Sequence, residues 1–285
     1  MNQVKIMADS TCDLSKTLIE EYDITIIPLH IVMEDKSYLD GEEVAPEEIY
    51  TWADANRTTP KTAAVSIERV AAELQPYGKA EWDVVFFGIS EDMSTTCNVV
   101  RMVADELEYR NVAVIDSRNL STGIGLQVLR AATMARAGKS AQEIVAEMER
   151  DRGLVRASFV VDTLTYLARG GRCTSVTALL GNTLKLHPRI EVIDGKMQVN
   201  KKYRGNLSKV ILKYTEDMKE DLLKADPTRV FITHSGCDPQ IVTQVQEYLD
   251  GLHYFYEVLE TRAGGVVSSH CGPGTLGVLF YLKEM

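Results

Sequence analysis

Through the first half of the chain, short apolar runs alternate with amphipathic stretches of helical length. Residues 4–8 (VKIMA) read as a strand, and DSTCDLS then opens a helix that runs to about Tyr22. ITIIPLHIVM reads as a buried strand broken by Pro28, and PEEIYTWADAN as a helix with Pro46 at its head. RTTPKTAAVS reads as a loop leading into the helix IERVAAELQPY. WDVVFFGIS, MSTTCNVVRMVADELEY, VAVIDS and TGIGLQVLRAATMARAG continue as strand, helix, strand and helix, the last stopped by Gly138. Such alternation implies a mostly parallel sheet covered by helices. Ser10, Ser90 and Ser117 each follow a strand and precede a helix. That carboxyl edge is where open α/β sheets bind ligands, close to helix N-termini.

The second half changes character. AQEIVAEMERDRG bridges the halves, VRASFVV is a strand, and LTYLARGGRCTSVTALLGNTL reads as helix, glycine turn, helix. RIEVIDGKMQVNKKY is a hairpin turning at Asp194-Gly195, a favoured type I′ pair. RGNLSKVILKYTEDMKEDLLKA reads as an amphipathic helix, TRVFITHS as a strand, PQIVTQVQEYLDGL as a helix and YFYEVLE as a strand. The Gly-rich segment GPGTLGVLFYL follows. A chain of 285 residues exceeds what one simple core usually holds. The boundary is placed near residue 155, giving domains 1–155 and 156–285.

Apolar residues at 45% and charged residues at 25% fit a soluble globular protein. No run approaches the ~20 apolar residues of a membrane helix, and the N-terminal segment lacks the pattern of a secretion signal. The net charge of −10 argues against a nucleic-acid phosphate binder and against docking on anionic membrane, although Lys201, Lys202 and Arg204 form a local basic patch. Five scattered cysteines without any CxxC suit a reducing cytoplasm better than a disulfide or zinc framework.

Hydroxyls cluster at Ser10-Thr11, at Thr58, Thr59 and Thr62, and at Ser94-Thr95-Thr96. Taken singly, each cluster reads as helix capping. Converging at one sheet edge, they would hold an anion with neutral donors and helix dipoles. His234 and His270, with Asp9, Asp13, Asp40 and Asp116 beside the hydroxyls, leave a Ser/His/Asp hydrolase open, yet no GxSxG elbow occurs. The sequence has no HExxH, EF-hand loop, P-loop or GxGxxG after the first strand, and TGIGLQ lacks the third glycine. Arg172, after Gly170-Gly171, reads equally as a surface arginine and as one that reaches a carboxylate; Gly272-Pro273-Gly274 reads as an enforced turn.

Seven segments, in order, resemble the markers of the DegV family, bacterial fatty-acid-binding subunits that serve a fatty acid kinase. They are MADSTCDL, SYLDGEEVAPEEIY, PKTAAVS, GISEDMSTTCNVV, VIDSRNLSTGIGL, DTLTYLARGGRCTS and HCGPGTLGVLFY, and they span nearly the whole chain. The resemblance implies a two-domain α/β fold: an N-terminal, mostly parallel sheet flanked by helices, and a second α/β domain with a mixed sheet. The ligand is expected between them. It implies carboxylate binding by Thr62 and Ser94, a polar shell including Asp40, Arg172 and His270, and catalysis in the partner kinase rather than here. Ser10 and Thr95, from the hydroxyl clusters, are placed in the same shell. Ala63-Ala64-Val65 replaces the family's Ser-Gln-Pro and Met93-Ser94-Thr95-Thr96 its Leu-Ser-Gly-Thr; both keep the hydroxyl ligands.

Burying a long acyl chain at about 0.8 kcal/mol per methylene offers ~10 kcal/mol of gross driving force. The ligand that the resemblance implies is a fatty acid of the palmitate, stearate or oleate class, held in a cytoplasmic protein that feeds phospholipid synthesis, with no metal or other cofactor. Candidate tunnel liners are SVTALLGNTL, GLQVLRAATM and Phe86, Phe87, Phe159 and Phe280, most of which also read as plain core. The alternatives are a Ser/His acyl hydrolase or a phosphotransferase resembling dihydroxyacetone-kinase architecture. A DNA-binding regulator fits the acidic balance least.

Overall fold

A computed structural model describes residues 2–173, 175 and 185–283. The rhythm of the first half builds a four-stranded parallel sheet. Its strands are β1 (Val4–Asp9), β2 (Thr25–Ile27), β6 (Asp83–Gly88) and β7 (Val112–Asp116), in the order β2-β1-β6-β7. The central strands are mostly apolar because both faces are covered, with Lys5, Asp9 and Asp83 as their charged residues. Ile6, Ala8, Val85 and Phe87 face α5 (Thr122–Arg136) and α6 (Ala141–Asp151). Met7, Val84 and Phe86 face α3 (Ile67–Lys79) and α4 (Thr96–Glu106). Ser66 and Ser140 cap α3 and α6 through their side chains.

The second half forms a six-stranded mixed sheet, in the order β10-β9-β8-β13-β11-β12. Its strands are β8 (Val155–Val160), β9 (Leu186–Ile193), β10 (Lys196–Arg204), β11 (Ala225–Ser235), β12 (Glu257–Arg262) and β13 (Thr275–Leu282). All neighbours pair antiparallel except β11 with β12. The β9–β10 hairpin turns where expected, with Asp194 at φ 49° and Gly195 at φ 81°. α8 (Leu207–Asp217) and α10 (Pro239–Asp250) cover one face. The other face packs on α5, which is buried at every position from Thr122 to Leu129 because a sheet lies on each side of it.

Several segments differ from the sequence reading. ITIIPLHIVM is two strands in two sheets: β2 stays in the parallel sheet, while β3 (His30–Met33) lies beyond Pro28 in a three-stranded antiparallel sheet, β4-β3-β5. PKTAAVS is not all loop, since β5 (Lys61–Ala63) pairs with β3 and sets Thr62 opposite Ile31. β4 (Lys36–Leu39) completes that sheet. DSTCDLS forms a single 3-10 turn over Ser10–Cys12, closed by Asp13 at φ 51°, and α1 (Lys16–Glu21) starts only after Ser15. The Asp9 side chain causes this by accepting from Thr11 N. The long helix near residue 218 breaks into α8 and α9 (Lys219–Leu222). α7 (Thr165–Gly170) is present, and the second helix expected after the glycine turn, across 176–184, lies outside the described residues. The segment before GPGTLGVLFYL forms α11 (Gly265–Cys271), with α2 (Pro46–Asn56), β3 and β5 as its neighbours in the other half.

Candidate functional site

β5, the turn before α4, the segment after α7, α11 and the β9–β10 hairpin surround a cavity of about 950 Å³, within the usual range for small-molecule sites. Thr62, Ser94, Thr95, Arg172 and His270 all line it. Ser10 and Asp40 do not. They stand behind the wall, where Ser10 Oγ donates to Asp40 at 2.7 Å and accepts from the backbone N–H of Leu29 at 3.1 Å. Leu29 is the lining residue they steady.

His270 Nε2 lies 2.8 Å from Thr62 Oγ1. Its Nδ1 is buried with no hydrogen-bond partner among the described residues. Burial, then the positive charge of Arg172, holds the imidazole down to about 4, so it is neutral at pH 7. A buried lone pair without a partner costs less than a buried orphan N–H, which assigns the proton to Nε2. Nε2–H then donates to Thr62 Oγ1, and the threonine's own proton is left to point at a ligand. Ser94 sits at the head of α4, accepting from Thr96 N at 3.3 Å and lying 3.0 Å from Thr96 Oγ1. Thr95 is the N-cap residue and makes no side-chain cap bond, so the first amides of α4 add a positive dipole end beside these hydroxyls. Arg172 donates to Gly170 O at 2.9 Å, is exposed, and forms no ion pair among the described residues.

Three buried carboxylates support this arrangement. Asp9 accepts from Thr11 N, Thr11 Oγ1 and Ile89 N. Asp13 accepts from Ser121 Oγ at 2.5 Å and Gly264 N at 2.8 Å, and Asp40 accepts from Gly265 N at 2.7 Å as well as from Ser10. Burial pushes all three up, Asp9 to about 6. Two of them thus anchor the N-terminus of α11, whose last turn carries His270 into the cavity. Gly265 eases that approach, because a Cβ there would lie 2.4 Å from Ile31 Cδ1 and 2.8 Å from Ile49 Cδ1, and both side chains would have to shift. The sequence reading noted Asp13 only beside a hydroxyl and missed its role with Ser121; the Ala263-Gly264-Gly265 run was the available signal.

The apolar wall also departs from expectation. Phe86, Phe87, Phe159 and Phe280 belong to the cores, and no residue of GLQVLRAATM lines the cavity. Of SVTALLGNTL, Ser175 lines it and the remainder lies outside the described residues. Ile89, Met93, Leu120, Met197, Val266 and Val267 form the wall instead. Met197 and Val199 reach it from the hairpin, which is pinned across the gap by Ser90 Oγ donating to Gly195 O at 2.8 Å. The geometry does not favour a hydrolase: the cavity histidine bonds a threonine, and no carboxylate among the described residues orients its other nitrogen. His234 pairs instead with Glu260 at 3.2 Å. Among the described residues no group of His, Cys, Asp or Glu is arranged to hold a metal, and no helix is long and apolar enough to cross a membrane.

Comparison with known proteins adds a second line. A DegV domain-containing protein of Clostridium perfringens is 31% identical over 284 residues, covering all of both chains. A solved structure described as fatty acid binding of a DegV family protein from Thermus thermophilus superposes with a TM-score of 0.90 at 30% identity, over 99% of this chain and 100% of that one. A stearic acid-binding protein from Eubacterium ventriosum superposes with a TM-score of 0.84 at 26% identity, over 98% of each chain. The DegV family model itself matches residues 3–283, so a cavity edged by hydroxyls and closed by a returning helix is found here in a chain that belongs to the DegV family.

Proposed function

We propose that this protein binds one long-chain fatty acid, with the carboxylate at Thr62 and Ser94 and the acyl chain against the apolar wall. The observation that carries the reading is the convergence of both hydroxyls on one cavity, with a neutral histidine fixing the direction of the Thr62 proton. Thr95 and the α4 N-terminus add polarity for the anion, and Arg172 offsets its charge at the mouth. Ser10 and Asp40 act through the wall behind it. The fatty-acid ligands in the descriptions of the Thermus and Eubacterium proteins support the same ligand class here.

The protein supplies no nucleophile in this reading. It presents the carboxylate to a fatty acid kinase, which forms the acyl phosphate for phospholipid synthesis in the cytoplasm. The ligand lies between lobes divided near residue 155, with α11 reaching back from the second to the first.

Organic extraction of the purified protein followed by mass spectrometry is expected to release a C16–C18 fatty acid at near one per chain. After delipidation, Thr62→Val with Ser94→Ala should weaken stearate binding about 100-fold or more, since two hydrogen bonds to a charged group at about 1.5–3 kcal/mol each are lost. Unchanged affinity in a folded double variant would place the anion elsewhere.

A further inference from the structure

The β9–β10 hairpin walls two cavities. Lys196 through Val199 line the one that holds Thr62 and Ser94, and Glu191 through Asp194 line another of about 630 Å³. No residue lines both. The second cavity lies where the halves meet, between the loop after β7, the 3-10 turn Arg152–Leu154, β8, the end of β9 and α9.

Four arginines line it, on a chain whose net charge is −10. Arg189 is matched: its Nη2 lies 2.5 Å from Glu191, and its guanidinium stands 5.6 Å from the Tyr214 ring centroid. Arg118, Arg152 and Arg156 form no ion pair among the described residues. Arg118 and Arg156 are exposed and Arg152 is half-buried, so solvent and solutes reach all three. Arg156 Nη1 donates to Gly153 O at 2.8 Å and to Val155 O at 3.2 Å, and Arg152 Nη1 to Asp116 O at 3.4 Å. These bonds hold both guanidinium groups at the cavity, which Gly153 and Val155 also line, and leave most of their N–H donors without a partner among the described residues. A guanidinium keeps its charge at every physiological pH, so three of them sharing one cavity repel one another until an anion joins them.

We infer that this cavity is a second ligand site, taking a small phosphate monoester with a compact apolar body. The ester's three terminal oxygens can accept from guanidinium forks that arrive from three separate segments, whereas a carboxylate offers two oxygens. Asp194 and Asp221 line the cavity as well and form no ion pair among the described residues. They oppose an anion, so direct hydrogen bonds rather than bulk charge carry the affinity, and the site holds its guest loosely. The body has its own wall. Ile193 is 43% exposed and lines the cavity beside Met218 and Phe280, and covering it returns the free energy of an apolar side chain now left in water. At about 30 Å³ per water-sized group, the volume admits roughly twenty non-hydrogen atoms.

Phenyl phosphate is a suitable probe, with inorganic phosphate as the anion without a body and benzoate as the carboxylate of similar shape. Ligand-detected NMR titration of the full-length protein at pH 8 and low salt should give phenyl phosphate a Kd on the order of 1 mM, and both competitors should bind at least about threefold more weakly. Arg118→Gln with Arg156→Gln should weaken phenyl phosphate about tenfold or more. Lys16→Gln, on α1 outside both cavities, should leave it unchanged. Asp221→Asn removes an opposing charge and should tighten binding about two- to threefold, a gain that misfolding cannot produce. Five results each overturn the inference: no binding to wild type, an unchanged Kd in the arginine double variant, an equal loss in Lys16→Gln, weaker binding in Asp221→Asn, or displacement of the probe by stearate, which would put it in the other cavity. Inorganic phosphate or benzoate binding as tightly as phenyl phosphate overturns it too, since the site would then select neither the body nor the third oxygen.

Discussion

Gly170→Ala isolates the link between α7 and the proposed carboxylate site. Gly170 has no left-handed φ, so alanine carries no backbone penalty, yet its Cβ would stand 2.3 Å from His270 Nδ1 and 3.2 Å from Cε1. Ordinary contact needs more than 3.4 Å, so the ring must move by about 1 Å. Thr62 blocks it on the opposite side at 2.8 Å. Either the backbone of α7 shifts or the Nε2–Thr62 bond breaks. Overpacking costs about 1–3 kcal/mol, and losing the bond that orients Thr62 costs binding about 1.4–2.8 kcal/mol, or 10- to 100-fold in Kd. Isothermal titration of delipidated protein with stearate, and urea midpoints for stability, measure the two effects. In a His270→Ala background the ring is absent, and Gly170→Ala should cost almost nothing, giving a coupling energy of at least about 1 kcal/mol. If Gly170→Ala binds stearate like wild type, or costs the same in both backgrounds, the wedge reasoning is wrong.

Two further expectations concern pH and packing. His270 is held down to about 4 from its ordinary 6.5, so its contribution to stability is complete above pH 6.5 and is lost as the pH falls through 4. Asp9 is pushed up to about 6 from 3.8, so its contribution is complete below pH 3.8 and is lost as the pH rises through 6. Each is worth about 3 kcal/mol and they oppose, so between pH 7 and pH 5 the His270 loss outweighs the Asp9 gain in wild type, and His270→Asn should gain urea resistance where wild type does not; parallel profiles would refute this. Gly265→Ala should lower stability by about 1–3 kcal/mol through Ile31 Cδ1, and Ile31→Val, which deletes that atom, should restore part of it. No recovery in the double variant would show that the contact is elsewhere.

The parallel sheet was legible because strands covered on both faces read as short apolar runs, such as residues 84–87, between amphipathic stretches of helical length. β4 and β5 were not, because strands of three or four residues carry too few side chains to show a period. α11 was hidden for another reason. Glycine, two valines and two serines make a poor helix alone. It is fixed by Asp13 and Asp40, more than 200 residues earlier, which accept from its first amides. Thr62 and Ser94 could be named through family resemblance, since their hydroxyls read locally as capping or loop. The hairpin wall escaped because the alternation that places Met197 and Val199 on one face cannot say whether that face meets core or ligand. The phenylalanines failed as liners by the same logic: large apolar side chains fill cores first.

A helix with a sheet pressed on each flank cannot be given up by one partner without stripping the other. Thr122 through Leu129 lend their surface to both halves at once, so the two cannot swing apart like jaws without exposing that seam to water. Guest exchange is therefore expected at the thin arm at 193–199, which among the described residues is held to the first half by the Ser90 hydroxyl and a Lys196–Asp92 pair at 3.5 Å. Heat should melt the chain in a single step, with neither lobe outlasting its neighbour.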